Sequence, residues 1–323
     1  MTLNLGEEYR TLRTGVGLVR RHDSEFLSIH GKDAIDLLHR ISTNDLRGLQ
    51  DDETRSTVLV NEKGRILDIV TLIPTEDYFL VEVSFGNKPN IRQWIEKYCV
   101  TEDVEVRNPV FEISKYSLVG PRVIDTLKSF GFEAPKPTTS RANKIVLNDH
   151  EMIFVHDPLF PGPVWNLYSY HNIDNTVVER SGITVIDPEV FEVYRIEEAV
   201  PRHGKELTES VTPLEAGLRK FISLDKGCYL GQEVIARLDT YKKLKRKLIR
   251  FIGRNLDAVE TGSEILKDTE PIGVVTSVIF SPISEHWVGL GYCSQPADSG
   301  VAVRASNGSS LGISIMDPPS TQE

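Results

Sequence analysis

Short β-rich runs, each cut off by glycine, proline or a polar turn, most constrain what this chain can fold into, because they outnumber its long helical periodicities. Phe26–Leu27–Ser28–Ile29 reads as a strand ending at Gly31. Ala34, Leu37, Leu38 and Ile41 follow at the three-and-four spacing of a helix with one buried face. The runs 57–60 and 66–72 flank Asn61–Glu62–Lys63–Gly64, a hairpin with glycine where a positive φ is wanted. Residues 78–83 add a third strand. A weak repeat follows: the run 116–119 ends at Gly120 and precedes Val123, Ile124, Leu127 and Phe130, which repeat the strand–glycine–helix order of the first unit.

Residues 133–140, with two prolines, read as an exposed loop. Strands resume at 144–147, 152–155 and 164–168. From about Leu248 onward the pattern is strand, turn, strand (249–252, 272–279, 287–292, 301–303 and 311–315), which predicts a small all-β unit at the C-terminal end. A chain of 323 residues is too long for one ordinary core, so two or three domains are expected.

Charge and cysteine usage narrow the function. A formal charge of −10 repels phosphate backbones and argues against general nucleic-acid binding. The one basic run, residues 242–247, reads either as a solvated strand edge or as a local attraction for an anionic ligand tail or an acidic partner. No stretch approaches the roughly 20 apolar residues of a membrane span, and residues 1–8 lack signal- or transit-peptide character, which leaves a cytoplasmic location as the expectation. Cys99, Cys228 and Cys293 are far apart, and no histidine pair has metal-ligand spacing, so neither a disulfide framework nor a dedicated metal site is expected. Gly15–Val16–Gly17 lacks the third glycine of a dinucleotide fingerprint, because Arg20 stands there.

Two segments carry candidate chemistry. Asp187 is a good N-cap and Pro188 suits a first helical position. In the helix that follows, Val190, Val193, Tyr194 and Glu197 share one face, while Glu189, Glu192 and Arg195 point elsewhere. Glu197 is then a carboxylate on an apolar stripe, which calls either for a protein cation or for a ligand with paired N–H groups, such as a pterin edge. In Lys226–Gly227–Cys228–Tyr229–Leu230–Gly231–Gln232–Glu233, two glycines bracket a thiol and an aromatic ring. A helix starting near Gly231, with Lys226 close by, would lower the thiol pKa. The other reading is a buried cysteine filling space beside a turn.

This second segment resembles the K-G-C-aromatic-x-G-Q-E signature of YgfZ-type folate-binding proteins, within the glycine-cleavage T-protein superfamily. Ser42–Thr43–Asn44–Asp45, the hairpin 61–68, Arg195–Ile196–Glu197 with Gly204, and Gly289–Leu290–Gly291–Tyr292 are similar to further T-protein segments in the same order. The resemblance implies an α+β protein, a ring of two α+β subdomains (1–115 and 116–240) and a C-terminal antiparallel β-barrel (241–323). The ring would surround a channel for tetrahydrofolate or a one-carbon derivative. It further implies that Glu197 grips the pterin, that Asp68 and Tyr229 border the site, and that Cys228 is a functional thiol within Lys226, Gly227, Gly231, Gln232 and Glu233. The implied partners are iron–sulfur assembly proteins or client enzymes. T-proteins end the hairpin with two acids, the second assigned to catalysis; here Asp68 matches the first and Ile69 stands at the second. An isoleucine moves no proton, which argues against aminomethyl transfer by the usual T-protein route; the resemblance to the YgfZ-type proteins implies instead a folate-dependent accessory role in iron–sulfur cluster assembly or repair. An aminomethyltransferase or demethylase with an altered site is the alternative.

Overall fold

The structure is a computed structural model, described here over residues 5–129, 141–147, 150–170, 183–241, 244–294 and 300–316. The expected loop at 133–140, and Lys242 and Lys243 of the basic run, lie outside the described residues. Helix α1 (Leu5–Thr14) precedes strands β1 (Gly17–Arg21) and β2 (Ser24–His30), then α2 (Ala34–Ile41), β3 (Arg55–Val60), β4 (Ile66–Pro74), β5 (Phe79–Ser84), α3 (Lys88–Tyr98) and β6 (Glu105–Arg107). The chain continues through β7 (Ser114–Val119), α4 (Val123–Ser129), β8 (Asn143–Leu147), β9 (His150–His156), β10 (Val164–Ser169), β11 (Thr184–Ile186), α5 (Pro188–Glu197) and α6 (Gln232–Tyr241). Strands β12 (Lys247–Gly253), β13 (Glu264–Lys267), β14 (Glu270–Ser281), β15 (His286–Cys293), β16 (Val301–Arg304) and β17 (Ser310–Met316) complete it.

The strands form a five-stranded sheet ordered β3-β4-β5-β2-β6, a six-stranded sheet ordered β11-β1-β7-β10-β9-β8, and a closed barrel β12-β15-β14-β13-β16-β17. The expected α+β architecture with a C-terminal antiparallel barrel is therefore present. Closure comes from β12 pairing with both β15 and β17, which leaves the barrel without an edge strand.

The two sheets are entered through the same device. Gly31 after β2 and Gly120 after β7 both have positive φ, and each carbonyl accepts from an amide at the start of the next helix, Ala34 in one case and Val123 in the other, at 3.2 Å. A Cβ at Gly31 would lie 2.0 Å from the Asp103 carbonyl oxygen and one at Gly120 2.4 Å from that of Gly15, so both positions require glycine.

Chain order and sheet membership part company at β1. It pairs parallel with β11 and antiparallel with β7, so residues 17–21 sit in the second sheet although they precede every strand of the first. Tyr9 and Leu12 of α1 are buried with Val190, Val193 and Tyr194 of α5 in the same cluster, so this opening segment crosses the boundary expected at residue 115. Apolar packing also ties the three parts together. Phe26, Ile73 and Leu80 of the first sheet meet Ile153, Val155 and Tyr168 of the second, and Ile196 of α5 packs on Val288 and Leu290 of the barrel. Among the described residues, no helix is long and apolar enough to cross a membrane.

Candidate functional site

Between the two sheets lies a polar cavity of about 150 Å³. Its wall draws Arg21 from β1, Ile69 and Thr71 from β4, Glu82 from β5, Lys115 from β7 and Asn166 and Tyr168 from β10, with Asp157 from the loop after β9. Charged side chains inside a fold must find partners, and these do. Arg21 Nη2 donates to Asp23 Oδ2 at 2.6 Å and its Nη1 to Ser117 Oγ at 3.0 Å. Ser117 Oγ donates to Asn166 Oδ1 at 2.7 Å, and Asn166 Nδ2 donates to Asp157 Oδ2 at 3.0 Å. On the opposite side Lys115 Nζ and Ser24 Oγ both donate to Glu82 Oε1 at 2.5 Å, while Tyr168 Oη donates to Oε2 at 2.6 Å. Burial would raise the Asp23 carboxyl, but the Arg21 charge and its hydrogen bonds outweigh burial and hold it well below the usual range. Burial, then the charge of Glu82, pushes the Tyr168 phenol well up.

Arg195 also reaches the cavity wall, where the helical-wheel expectation pointed it elsewhere. Helix α5 is covered on nearly every side, with Phe191, Arg195 and Ile196 buried as well as the expected Val190, Val193 and Tyr194. The Arg195 guanidinium donates to Glu206 at 3.1 Å, to Glu192 at 2.8 Å and to the Val200 carbonyl at 2.6 Å. Glu206 has no solvent exposure and also accepts from Ser277 of the barrel at 2.6 Å, so this network joins α5 to the third part of the fold. Burial would raise Glu192; the hydrogen bonds and charge of Arg195, with Lys205 and Arg202 beyond, bring it down to about 2 instead. The predicted cap is present at the start of α5, where the Asp187 side chain accepts from the Glu189 amide.

The residues singled out in the sequence fall in three separate places. Ile69 stands on the cavity wall. Asp68, expected to border the site, does not: alternation along β4 puts it on the side of Val70 and Leu72, which face the core under α2 and α3. An irregularity in the β3–β4 register just before Asp68 leaves that arrangement in place. The Asp68 carboxylate accepts from Ser84 Oγ (2.7 Å), the Ser84 amide (3.0 Å) and Asn87 Nδ2 (3.0 Å). Burial raises its pKa despite those bonds. It braces the wall from behind, since Ser84 itself lines the cavity.

Glu197 is likewise absent from the wall. Its carboxylate accepts from Tyr9 Oη and Arg13 Nη2 of α1, which makes the protein cation its partner in this structure. Arg13 binds the neighbouring Glu198 as well and lies over the Tyr194 ring.

The Cys228 segment lies apart from the cavity, against the first sheet. Lys226 turns inward, its Nζ donating to the carbonyls of His39 (2.5 Å), Ser42 (2.9 Å) and Asn44 (2.6 Å), so it serves as a clamp. Burial pulls its pKa down to about 8. Thr43 Oγ1 donates to the Phe221 carbonyl, and the Ser223 amide donates to that of Thr43. Gly231, at φ 75°, lets the turn approach the β3–β4 hairpin; a Cβ there would sit 2.8 Å from the Asn61 carbonyl oxygen and 3.0 Å from Gly64 Cα. Three segments distant in sequence, 42–45, 61–64 and 226–231, thus form one knot. Tyr229 is buried in it among Val58, Val60 and Ile235, with the Lys226 ammonium 5.0 Å from its ring centre, and so is a core residue rather than a cavity contact. Gln232 and Glu233 open α6, and Gly227 and Cys228 are exposed. Cys293 is buried and Cys99 half-buried. Among the described residues, no three His, Cys, Asp or Glu side chains are grouped to hold a metal ion.

Sequence reasoning passed over Arg21, Asp23, Glu82, Lys115, Asp157 and Asn166. The available signal was a charged or amide side chain inside a run that otherwise reads as buried strand, as with Lys115 and Asn166.

Comparison with known proteins matches residues 1–145 to the GCVT N-terminal domain and residues 246–319 to the glycine cleavage T-protein C-terminal barrel domain. The chain is 25% identical over 297 residues to an aminomethyltransferase of Thermoanaerobacter pseudethanolicus, covering 88% of this chain and 79% of that one. It is 25% identical over 307 residues to an aminomethyltransferase of Thermotoga neapolitana, covering 91% and 83%. The crystal structure of glycine cleavage system aminomethyltransferase T from Bartonella henselae superposes with a TM-score of 0.83 over 99% of this chain and 90% of that one, at 19% identity.

Proposed function

Because the chain belongs to the glycine-cleavage T-protein superfamily, we propose that it binds tetrahydrofolate or a one-carbon derivative in the cavity and serves as an accessory protein in iron–sulfur cluster assembly or repair, not as an aminomethyltransferase. One observation carries the exclusion of aminomethyl transfer, while the iron–sulfur role rests on the resemblance of residues 226–233. Ile69 faces the cavity where the resemblance calls for the catalytic acid, and the neighbouring acid Asp68 faces away with its carboxylate held by Ser84 and Asn87.

The wall suits the ring end of a folate. Asp157, Asp23 and Glu82 accept, while Asn166, Tyr168 and Arg195 donate, the mixture that a flat heterocycle with both N–H and C=O groups requires. At about 150 Å³ the cavity is smaller than the pockets of about 300–1,000 Å³ that take whole drug-sized ligands, which favours a seat for the ring alone. Asp157 is the acceptor of choice: its bonds come from the Asn166 amide and the Leu159 backbone, whereas Asp23 and Glu82 are paired with cations. Glu197 reaches a ligand in this reading only when Arg13 lets it go. Bound tetrahydrofolate supplies nitrogens able to carry a one-carbon unit. Cys228 is the exposed thiol for a cluster, a cluster carrier or an oxidised partner, in company with iron–sulfur assembly proteins or client enzymes.

The second reading, a folate-dependent aminomethyltransferase or demethylase with an altered site, is favoured by the name that both relatives carry. A titration of tetrahydrofolate into the anaerobic protein, followed by incubation with an amine donor, separates the two. Saturable binding without methylene-tetrahydrofolate is expected. Catalytic formation of methylene-tetrahydrofolate would favour the second reading, and an absence of binding would remove the folate from both.

A further inference from the structure

The charged groups that face the cavity are committed to the protein. Arg21 of β1 is bonded to Asp23 beyond it, Glu82 of β5 to Lys115 of β7, Asp157 to Asn166, and Arg195 of α5 to Glu206. His156 also lines the cavity, but its ring is bonded to the Gly162 backbone and packs edge-on to Trp165. His203 differs. It lines the cavity half-buried, and among the described residues neither of its ring nitrogens has a hydrogen-bond partner. Backbone bonds fix its place: the amides of Lys205, Glu206 and Leu207 all donate to the Arg202 carbonyl, and the Gly204 amide donates to that of Leu207. The turn therefore holds the His203 main chain and leaves the imidazole free. Asp68 lies close behind it. Burial raises the Asp68 carboxyl, and the Ser84 hydrogen bond and then the charge of His203 oppose that rise. The hydrogen bonds to Asp68 come from Ser84, Asn87 and the Ile69 amide, all neutral, so an imidazolium at position 203 supplies a positive charge on that side.

We propose that His203 is the proton-carrying contact of the bound ring, its imidazole hydrogen-bonding an acceptor of the heterocycle in the cavity; the assignment rests on the folate reading. Ile69 on the same wall holds no proton, and the charged groups around it are bonded to one another. An imidazole with both nitrogens free can change its charge as a ligand enters without breaking a protein hydrogen bond. On binding, a proton passes from solvent to the imidazole: an N–H bond forms at the free nitrogen and the buffer loses that proton. The imidazolium then donates a charge-assisted hydrogen bond to the ring while facing Asp68. Release of the ligand returns the proton. Arg202 and Lys205, the cations of the same turn, are turned to Glu192 at 3.4 and 3.2 Å, which makes His203 the turn's contribution to the ligand.

Calorimetric titration of tetrahydrofolate into anaerobic wild-type protein, His203→Gln and His156→Gln tests this. Each titration is run between about pH 6 and pH 8, where an imidazole changes charge, in pairs of buffers with different ionisation enthalpies, so that the proton count is read directly. Wild type is expected to take up a fraction of a proton and to bind roughly three- to tenfold more tightly at the acid end of that range. His203→Gln keeps a hydrogen-bonding group but holds no proton. It is expected to take up none and to bind with one affinity across the range, near the wild-type value at the alkaline end. His156→Gln is expected to retain the uptake. Denaturant unfolding checks each variant, and His203→Asn stands in should the glutamine variant fail to fold. A merely structural role for His203 would lower affinity equally at every pH and leave the proton count as in wild type. That result, absence of uptake by wild type, or loss of uptake in His156→Gln instead would overturn the assignment while leaving the folate reading in place. Failure of wild-type protein to bind tetrahydrofolate would remove both.

Discussion

The cavity between the sheets and the knot around Cys228 use polar groups in opposite ways. On the cavity wall, side chains satisfy one another: Arg21 with Asp23 and Ser117, Glu82 with Lys115 and Tyr168, Arg195 with Glu192 and Glu206. At the knot, side chains and glycines serve the backbone. Lys226 holds three carbonyls, Thr43 a fourth, and Gly231 permits two turns to touch. A mutually paired wall can exchange some partners for a ligand's without moving the chain. A backbone clamp cannot, so the long Cys228 segment is chiefly architecture, and Cys228 is the nucleophilic side chain it leaves exposed.

Substitutions that strand a buried group test this contrast most severely. Arg195→Met leaves Glu206 fully buried without its cation and is expected to cost about 3–5 kcal/mol in denaturant unfolding. A loss below about 1 kcal/mol would mean that wall residues are individually dispensable. Lys226→Met, on the other side of the comparison, strips the donor from three carbonyls and is expected to cost about 2–4 kcal/mol. Little change there would undo the view of the motif as a clamp. Acid is the third probe. Glu192 is held at about 2 from an ordinary value of 4.5, so its stabilising contribution is complete above about pH 5 and is lost as pH falls toward 2. Wild-type protein is expected to lose on the order of 2 kcal/mol more than Glu192→Gln across that window. Parallel curves for the two proteins would show that the Arg195 network carries no such linkage. A smaller effect belongs to Asp157→Asn, which exchanges one acceptor for a donor on the wall and is expected to weaken tetrahydrofolate binding about tenfold. Unaltered affinity would shift the ring's acceptor to another wall residue.

The same contrast accounts for what was legible beforehand. The hairpin over 61–64, the Asp187 cap and the strand–glycine–helix pair at Gly31 and Gly120 are set by residues close in sequence, and each is found where local rules put it. The cavity wall is assembled from pairs such as Arg21 with Ser117 and Glu82 with Tyr168, 96 and 86 positions apart, which no local pattern specifies. Helix α5 misled the wheel for a related reason. It is packed against α1, β1 and the barrel at once, so a charged face turned inward and met Glu206. Helix α1 gave no signal because only Tyr9 and Leu12 of its ten residues are buried.

Cys228→Ala makes the smallest demand on the fold and the sharpest on function. The side chain is exposed and holds no backbone group, so unfolding is expected to stay within about 0.5 kcal/mol of wild type. Folate affinity is expected to be unchanged, because the thiol is not on the cavity wall. Restoration of cluster-enzyme activity in cells lacking the protein is expected to be lost. A mutant that is stable, binds folate and still restores that activity would confine the whole 226–233 segment to architecture, and the functional contrast between knot and cavity would collapse onto the cavity alone.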